Sequence, residues 1–141
     1  MADCRVRGQV LAGKQTEQGA VIVLLPKDKQ PKAPLAPGLI MPATFVALDN
    51  PTIDTIHRNG GAVVRTDDEG RFELLVDQNR RFRLWVLSKS RPASGQKPED
   101  AAAKQLETWF APSSKLLREN EFRALDFETA GDSHDVGEVD F

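Results

Sequence analysis

One segment with alternating side chains carries the residues best suited to bind a ligand. Arg81, Arg83 and Trp85 occupy every second position, so in a β-strand they share one face, opposite Phe82 and Leu84. An indole ring offers a flat platform for a sugar, and guanidinium groups beside it can donate hydrogen bonds to hydroxyls. If this face is open, the three residues form a possible carbohydrate-binding surface.

Residues for catalysis or metal binding are sparse. His57 and His134 are far apart, and neither has a cysteine or a second histidine at ligand spacing, so each is interpreted as a solvated loop histidine. Cys4 is the single cysteine and is interpreted as a packed or idle thiol. No Gly-x-Ser-x-Gly elbow or glycine-rich phosphate loop is present. The sequence therefore predicts no catalytic residue, no cofactor and no metal, and an enzyme with an unrecognised site is the remaining alternative.

An acidic turn is the other candidate for metal binding. Asp67, Asp68 and Glu69 supply oxygen atoms, but they lack the regular Asp-x-Asp-x-Asp-Gly alternation of a calcium loop. Asp67 can instead accept hydrogen bonds from turn amides, while Gly70 takes a positive φ that other residues resist. We therefore expect a structural turn, with the two flanking strands forming a hairpin.

Charge does not favour a nucleic-acid partner. The formal net charge is −2, so no global field attracts a polyanion. Arg80, Arg81 and Arg83 form a local basic cluster, but the segment 119–140 contains eight acidic residues and one basic one, Arg123. A late strand with this composition can offset the cluster through cross-strand pairs. We therefore expect no nucleic-acid binding. We also expect no direct membrane insertion, because no run of about eighteen apolar residues exists.

The elements that must position these residues are mostly strands. Alternation or short apolar runs between turn residues predict strands at 5–11, 20–25, 62–66, 72–76, 82–86, 121–128 and 135–141. The run at 20–25 is apolar throughout, which indicates a strand buried on both faces at the centre of a sheet. In the last segment, Gly137, Val139 and Phe141 are expected to share a face. Together these segments predict a mostly β domain of about seven strands, folded as a β-sandwich.

Two longer segments interrupt this pattern. A proline-rich stretch, 27–42, predicts an extended surface loop, and 52–59 predicts a short helix between an Asn50-Pro51 start and a Gly60-Gly61 stop. A better helix is predicted at 98–110, where Trp109 shares an apolar stripe with its neighbours and is expected to pack in a core. We interpret residues 1–141 as one domain with insertions at about 27–61 and 90–120.

The order of the motifs is similar to that of a known family. The motifs are Arg7-Gly8-Gln9-Val10, the strand 19–26 with its Gly19 and Pro26 ends, the turn 66–72, the strand 82–86, and Asp135-Val136-Gly137-Glu138-Val139. They resemble the successive strands of a carboxypeptidase regulatory-like domain, in an extended form also seen in bacterial, planctomycete-type envelope proteins. The resemblance implies a prealbumin-like (transthyretin-like, Greek-key) β-sandwich and an exported or envelope-associated parent protein.

Enzymes on related sandwiches do not fit the sequence. Intradiol-type dioxygenases hold iron with two tyrosines and two histidines, and this chain has no tyrosine. Transthyretin-like hydrolases of urate breakdown use a tyrosine-containing tail, whereas the end here is Gly137-Glu138-Val139-Asp140-Phe141. Members of the resembled family are typically accessory modules. The leading hypothesis is therefore a non-catalytic module that contacts another protein or domain, and the alternative is carbohydrate binding through Trp85 and its neighbouring arginines.

Overall fold

The chain folds into two β-sheets that pack face to face. The computed structural model describes residues 3–27, 57–88 and 122–141. The eight strands in this part of the chain are β1 (Asp3–Ala12), β2 (Gln15–Thr16), β3 (Val21–Pro26), β4 (Ala62–Arg65), β5 (Arg71–Asp77), β6 (Arg81–Leu87), β7 (Phe122–Glu128) and β8 (Ser133–Asp140). Each predicted strand is present, and β2 is an addition too short to leave a periodic signal. The expected β-sandwich is confirmed.

The two sheets have different pairing patterns. In the first sheet, β1 is central: β5 pairs with it antiparallel, β8 pairs with it parallel, and β2 folds back on its end. The second sheet has the order β4-β3-β6-β7, and each neighbouring pair is antiparallel. β3 is therefore an interior strand, as its unbroken apolar run predicts.

The core lies between the sheets and is built from alternate residues. The fully or almost fully buried apolar side chains that form it on β1, β3, β5 and β6 are Cys4, Val6, Val10, Ile22, Leu24, Phe72, Leu74, Val76, Phe82, Leu84 and Val86. The intervening residues of β1 and β5 are largely exposed, which is the alternation expected of a sheet with one solvated face. The second sheet differs, because Val21, Val23 and Leu25 on the outer face of β3 are also fully buried.

The acidic turn connects the two sheets instead of closing a hairpin. β4 pairs with β3 in the second sheet and β5 pairs with β1 in the first, so the predicted hairpin is wrong. Asp67 N–H donates to Arg71 O at 3.0 Å, which closes the turn as the residue types predict. A tight turn fixes a chain reversal but not the sheet that each flanking strand joins.

Buried polar groups tie this crossing to the body of the sandwich. Thr66 Oγ1 donates to Glu17 O at 2.6 Å and accepts from Ala20 N–H at 2.9 Å. Ser88 Oγ donates to the Glu17 carboxylate, 2.9 Å from Oε1 and 3.1 Å from Oε2. Glu17, Thr66 and Ser88 are all buried. These bonds join the turn before β3, the end of β4 and the end of β6 at one point.

A bulge in β8 lies opposite Gly8 of β1. The parallel register shifts between Arg7↔Asp135 and Gln9↔Glu138, so two residues of β8 oppose one of β1. Gly137 has φ +78 and its N–H donates to Asp135 Oδ1 at 2.8 Å. Because the bulge adds a residue, the inward face of β8 continues from Val139 to Val136, which packs on the core, and not to Gly137 as the alternation predicts.

Two ring contacts close the sandwich on the side of β7 and β8. The Phe127 ring stacks on the His134 ring, with centroids 4.5 Å apart and planes at 6°. The Arg123 guanidinium lies over the Phe141 ring, 4.8 Å from its centroid. Phe127 and Phe141 pack against the core from this side. These contacts join the last strand of each sheet across the interface between the two sheets.

The predicted insertions lie mostly outside the described residues. His57 and Arg58 are helical and Gly60 N–H donates to His57 O, which agrees with the end of the helix predicted at 52–59. The helix predicted at 98–110 and the proline-rich stretch beyond Lys27 fall outside the described part of the chain. Within 3–27, 57–88 and 122–141, no helix has the length and apolar character needed to span a bilayer.

Candidate functional site

The predicted ligand surface on β6 is open at one end and buried at the other. Arg81 is exposed, the Arg83 side chain is 14% exposed and Trp85 is 0% exposed. The expectation of an open platform at Trp85 is therefore wrong. Trp85 lies on a central strand, opposite Val23 in the register, on an outer face whose apolar side chains are buried as well. An indole without exposed surface cannot stack on a sugar from solvent.

Arg83 is committed to a carboxylate on the neighbouring strand. Its Nε lies 2.7 Å from Asp126 Oδ1 and its Nη2 lies 3.1 Å from Asp126 Oδ2, a bidentate pair between residues opposite each other in β6 and β7. Lys27 Nζ is 3.0 Å from the same Oδ2. Hydrogen bonding from Arg83, followed by that from Lys27, lowers the pKa of Asp126 from 3.8 to about 2 against the opposing effect of burial. The late acidic strand thus offsets Arg83, one member of the basic cluster, through a cross-strand pair of the predicted kind.

Arg81 belongs to a groove at the end of the second sheet. A cavity of about 490 Å³ is lined by Lys27, Asn79, Arg80, Arg81 and Glu128, and we call this set the Arg81 groove. The end of β3, the β5–β6 turn, the start of β6 and the end of β7 meet there. Lys27 N–H donates to Arg81 O at 3.0 Å, which extends the ladder by one residue and makes Lys27 and Arg81 cross-strand neighbours.

The Arg81 groove adjoins a second recess on β7. A smaller cavity of about 210 Å³ shares Lys27, Arg81 and Glu128 with the groove and reaches Asp126 and Phe127. Asn79 has φ +56, a left-handed conformation that asparagine tolerates better than most residues, and its N–H donates to Thr129 O. The buried Thr129 hydroxyl contacts both ends of the same turn, with Oγ1 2.8 Å from Asp77 O and 3.2 Å from Arg80 O. The groove wall is therefore anchored to the end of β7.

The outer face of the first sheet is open and charged. A shallow cavity of about 250 Å³ on it is lined by Arg7, Gly8, Gln9, Arg71, Asp135, Gly137 and Glu138, at the bulge in β8. Arg7 has no ion-pair partner in the described part of the chain, whereas Arg71 Nη1 lies 3.1 Å from Glu69 Oε2. Leu75 on β5 is 58% exposed, and it is the large apolar side chain left exposed among the described residues. This surface can contact a partner but offers no deep pocket.

The two histidines lie in different settings. His57 is exposed at the end of a helical turn. His134 is not the solvated loop residue that the sequence predicts: it lies in β8, half-buried against Phe127, because its register partner is the inward-facing Val6. In the described ranges, no group of three or more histidine, cysteine or acidic side chains could hold a metal ion.

Asp67 and Cys4 have the structural roles that the sequence indicates. Asp67 Oδ1 accepts from the N–H groups of Glu69 and Arg71, both at 2.9 Å, and Gly70 has φ +74. The Asp67 carboxylate is thus used by the turn itself. Cys4 is fully buried in the core, where burial, and then the nearby Asp132 charge, raise the pKa of its thiol. A buried thiol with a raised pKa is a poor nucleophile.

Sequence reasoning found one part of the Arg81 groove and missed the rest. Arg81 was identified by its alternation with Arg83 and Trp85. Glu128 lies in the acidic segment that the sequence sets against the basic cluster, and it is opposite Arg81 in the register. Lys27 and Asn79 carry no signal of their own, because each is an ordinary residue at the end of a strand or in a turn. Their proximity to Arg81 follows from the sheet order alone.

Comparison with known proteins gives distant structural matches only. No family model and no curated protein matches the chain. A proposed carbohydrate-binding protein from Pseudomonas aeruginosa superposes with a TM-score of 0.48 at 12% identity, over 99% of this chain and 89% of that one. The dioxygenase domain of a dioxygenase–carbohydrate-binding protein fusion from a cellulolytic Streptomyces gives 0.40 at 14% identity, over 99% and 78%. A 9R-lipoxygenase from Cyanothece gives 0.41 at 12% identity, over 99% of this chain and 16% of that one. These similarities are too low to support a function.

Proposed function

We propose that the chain is a non-catalytic binding module of the carboxypeptidase regulatory-like kind, which contacts another protein through the outer face of its first sheet. The observation that carries the proposal is the difference between the two outer faces. On the second sheet, Val23, Leu25 and Trp85 are fully buried, whereas the outer residues of β1 and β5 are exposed. A partner therefore finds its widest regular surface on the first sheet.

The composition of that face suits a protein partner. Leu75 supplies exposed apolar surface at 58% exposure, and charged side chains of both signs surround it. Arg5 and Glu73 are 3.6 Å apart and more than half exposed, so their pair contributes little to stability and can exchange for contacts across an interface. An apolar centre with a polar rim is typical of protein interfaces. β5 also lies at the edge of its sheet, with β1 as its one partner among the described strands.

Site-specific photo-crosslinking in the source cells tests this proposal. A photoreactive amino acid replaces Leu75 in one variant and the exposed Arg58, on the turn before β4, in a matched control. We expect a discrete adduct with one protein from position 75 and none with that protein from position 58. The binding constant of the purified partner then tests the surface, because Leu75→Ser and Arg7→Glu together should weaken it by about tenfold or more. Adducts that are the same from both positions, or absent from position 75, would contradict the proposal.

Trp85 cannot bind a carbohydrate from solvent, because its indole is buried. An enzyme with an unrecognised site stays an untested alternative. A hydrolase screen with His57→Ala and His134→Ala separates it from a binding module, since activity abolished by either substitution would replace the present proposal.

A further inference from the structure

The Arg81 groove contains polar groups that the fold does not use. Arg81 and Glu128 are directly opposite each other in β6 and β7, yet they form no ion pair, and neither has another partner in the described part of the chain. The Asn79 side-chain amide has no hydrogen bond to a described residue either. A guanidinium, a carboxylate and an amide therefore line one cavity with their donors and acceptors available.

The charge around the groove favours an anion. Lys27 and Arg83 share the single carboxylate of Asp126, and the contact between Arg80 Nη1 and Asp77 Oδ2 is long, 3.7 Å. Arg81 then adds a cation without a counter-ion. Arg81 is exposed and Lys27 is its cross-strand neighbour at the groove. The Lys27 ammonium has three donors, so it can bind an anion beside Arg81 while it contacts Asp126.

The remaining wall groups indicate what else the anion must carry. Glu128 can only accept hydrogen bonds when ionised, so it repels a bare anion and attracts hydroxyl donors. The Asn79 amide can donate and accept, as paired sugar hydroxyls require. A cavity of about 490 Å³ falls within the usual range for small-ligand sites. Cations, one carboxylate and one amide around such a space match a compound with a carboxylate and several hydroxyls.

We propose that the Arg81 groove binds an acidic sugar unit, with the sugar carboxylate held by Arg81 and Lys27 and its hydroxyls held by Glu128 and Asn79. This site lies on the second sheet and is independent of the protein-binding face on the first. It also replaces the stacking platform expected at Trp85 with ionic recognition. The affinity should fall as salt rises, because exposed charges are screened.

Calorimetric titration of the full chain tests the proposal with a galacturonic acid trimer and a neutral galactose trimer. We expect the acidic trimer to bind and the neutral trimer to bind at least about tenfold more weakly. Lys27→Ala should weaken binding of the acidic trimer by about tenfold, whereas Lys14→Ala, on the β1–β2 turn, should leave it unchanged. Arg81→Ala should have a similar effect to Lys27→Ala, and Arg81→Lys should restore part of the affinity. Unchanged circular dichroism melts would show that the variants are folded.

Glu128→Gln separates sugar recognition from simple attraction of anions. It removes a negative charge, so it should tighten binding of a bare anion such as sulfate. It should weaken the acidic trimer severalfold, because one carboxylate oxygen becomes an amide donor and the hydroxyl bond to the other oxygen loses its charge assistance. Tighter binding of the trimer by Glu128→Gln would overturn the proposal. So would equal binding of the neutral trimer, no binding of the acidic trimer up to about 10 mM, or tighter binding of a single-stranded oligonucleotide of matched charge.

Discussion

Arg83 and Asp126 form a two-bond ion pair across β6 and β7, at 2.7 Å and 3.1 Å, and Lys27 approaches the same carboxylate from the end of β3. Three of the four strands of the second sheet thus meet at one charged group. Arg83 and Lys27 lower the pKa of Asp126 to about 2. The carboxylate therefore stays ionised in the folded protein at pH values where it is partly protonated in the unfolded chain.

Acid should therefore remove a defined contribution to stability. Because the folded pKa lies below the unfolded one, the contribution is fully present above about pH 5 and is lost as the pH falls towards 2. Asp126 is 42% exposed, so solvent screening reduces the contribution to about 1 kcal/mol. Urea unfolding at pH 6 and pH 2.5 should show Asp126→Asn less stable than wild type at the higher pH, with the difference reduced to about a third at the lower. Asp68→Asn, in the exposed turn, serves as control; a difference of the same size at both pH values would point to another cause.

Gly8 should tolerate no side chain. A Cβ built there would lie 2.6 Å from Val136 Cγ2 and 2.7 Å from Phe72 Cζ, inside the packed core. We expect Gly8→Ala to lower the free energy of unfolding by about 2 kcal/mol, because overpacking forces these side chains to shift. Gly137→Ala provides the comparison: its Cβ meets nothing within 4 Å, but φ is +78, so strain of about 1 kcal/mol is expected. Guanidinium denaturation measures both, and equal costs would show that packing at Gly8 is looser than the distances indicate.

The Thr66 hydroxyl should stabilise the connection between the two sheets at the acidic turn. Thr66→Val keeps the shape but removes one donor and one acceptor that serve Glu17 O and Ala20 N–H in a buried position. The unpaired backbone groups should cost about 2 kcal/mol, seen as a lower denaturation midpoint. Thr66→Ser keeps the hydroxyl, so it should lower the denaturation midpoint much less. If Thr66→Val costs no more than Thr66→Ser, the hydrogen bonds of the hydroxyl contribute no more to stability than the methyl group does.

Asp67 should stabilise the turn without binding a metal ion. Asp67→Ala removes the acceptor for two backbone N–H groups and should destabilise the protein by about 1 kcal/mol, while Asp68→Ala should have almost no effect. Thermal unfolding with and without calcium should give the same midpoint for wild type. A midpoint that rises with calcium concentration, and does so only when Asp67 is intact, would restore the calcium-loop interpretation.

The sequence predicts which strands exist and which residues face inward, because both follow from local alternation. Val6, Leu74 and Leu84 are buried as their spacing indicates. Alternation does not say what covers the other face, so the burial of Trp85 could not be predicted from Arg81 and Arg83 beside it. The bulge at Gly137 adds one residue and shifts the inward face, which a strict period of two cannot represent.

Local sequence patterns also could not predict contacts between residues that are far apart in the sequence. Glu17 and Ser88 are 71 residues apart, and each is unremarkable in its own segment. The turn at Asp67 was predicted correctly in its hydrogen bonds and wrongly in its sheet assignment, because turn chemistry is local and sheet membership depends on β1 and β3. The candidate groove has the same origin: one residue is visible in the alternation, and the others join it only through the order of strands.

The parallel pairing of β1 with β8 affects how the protein can form. Val6 is the register partner of His134, and Phe141 N–H donates to Leu11 O, so the first strand receives one of its neighbours from the far end of the described chain. During ribosomal synthesis, β1 emerges well before β8 and keeps one edge unpaired until residues 133–140 have been made. Contacts between such distant segments form slowly, and an open strand edge invites pairing with other chains. Folding of the first sheet is therefore a late step, and slow translation or a damaged β8 should appear as aggregation.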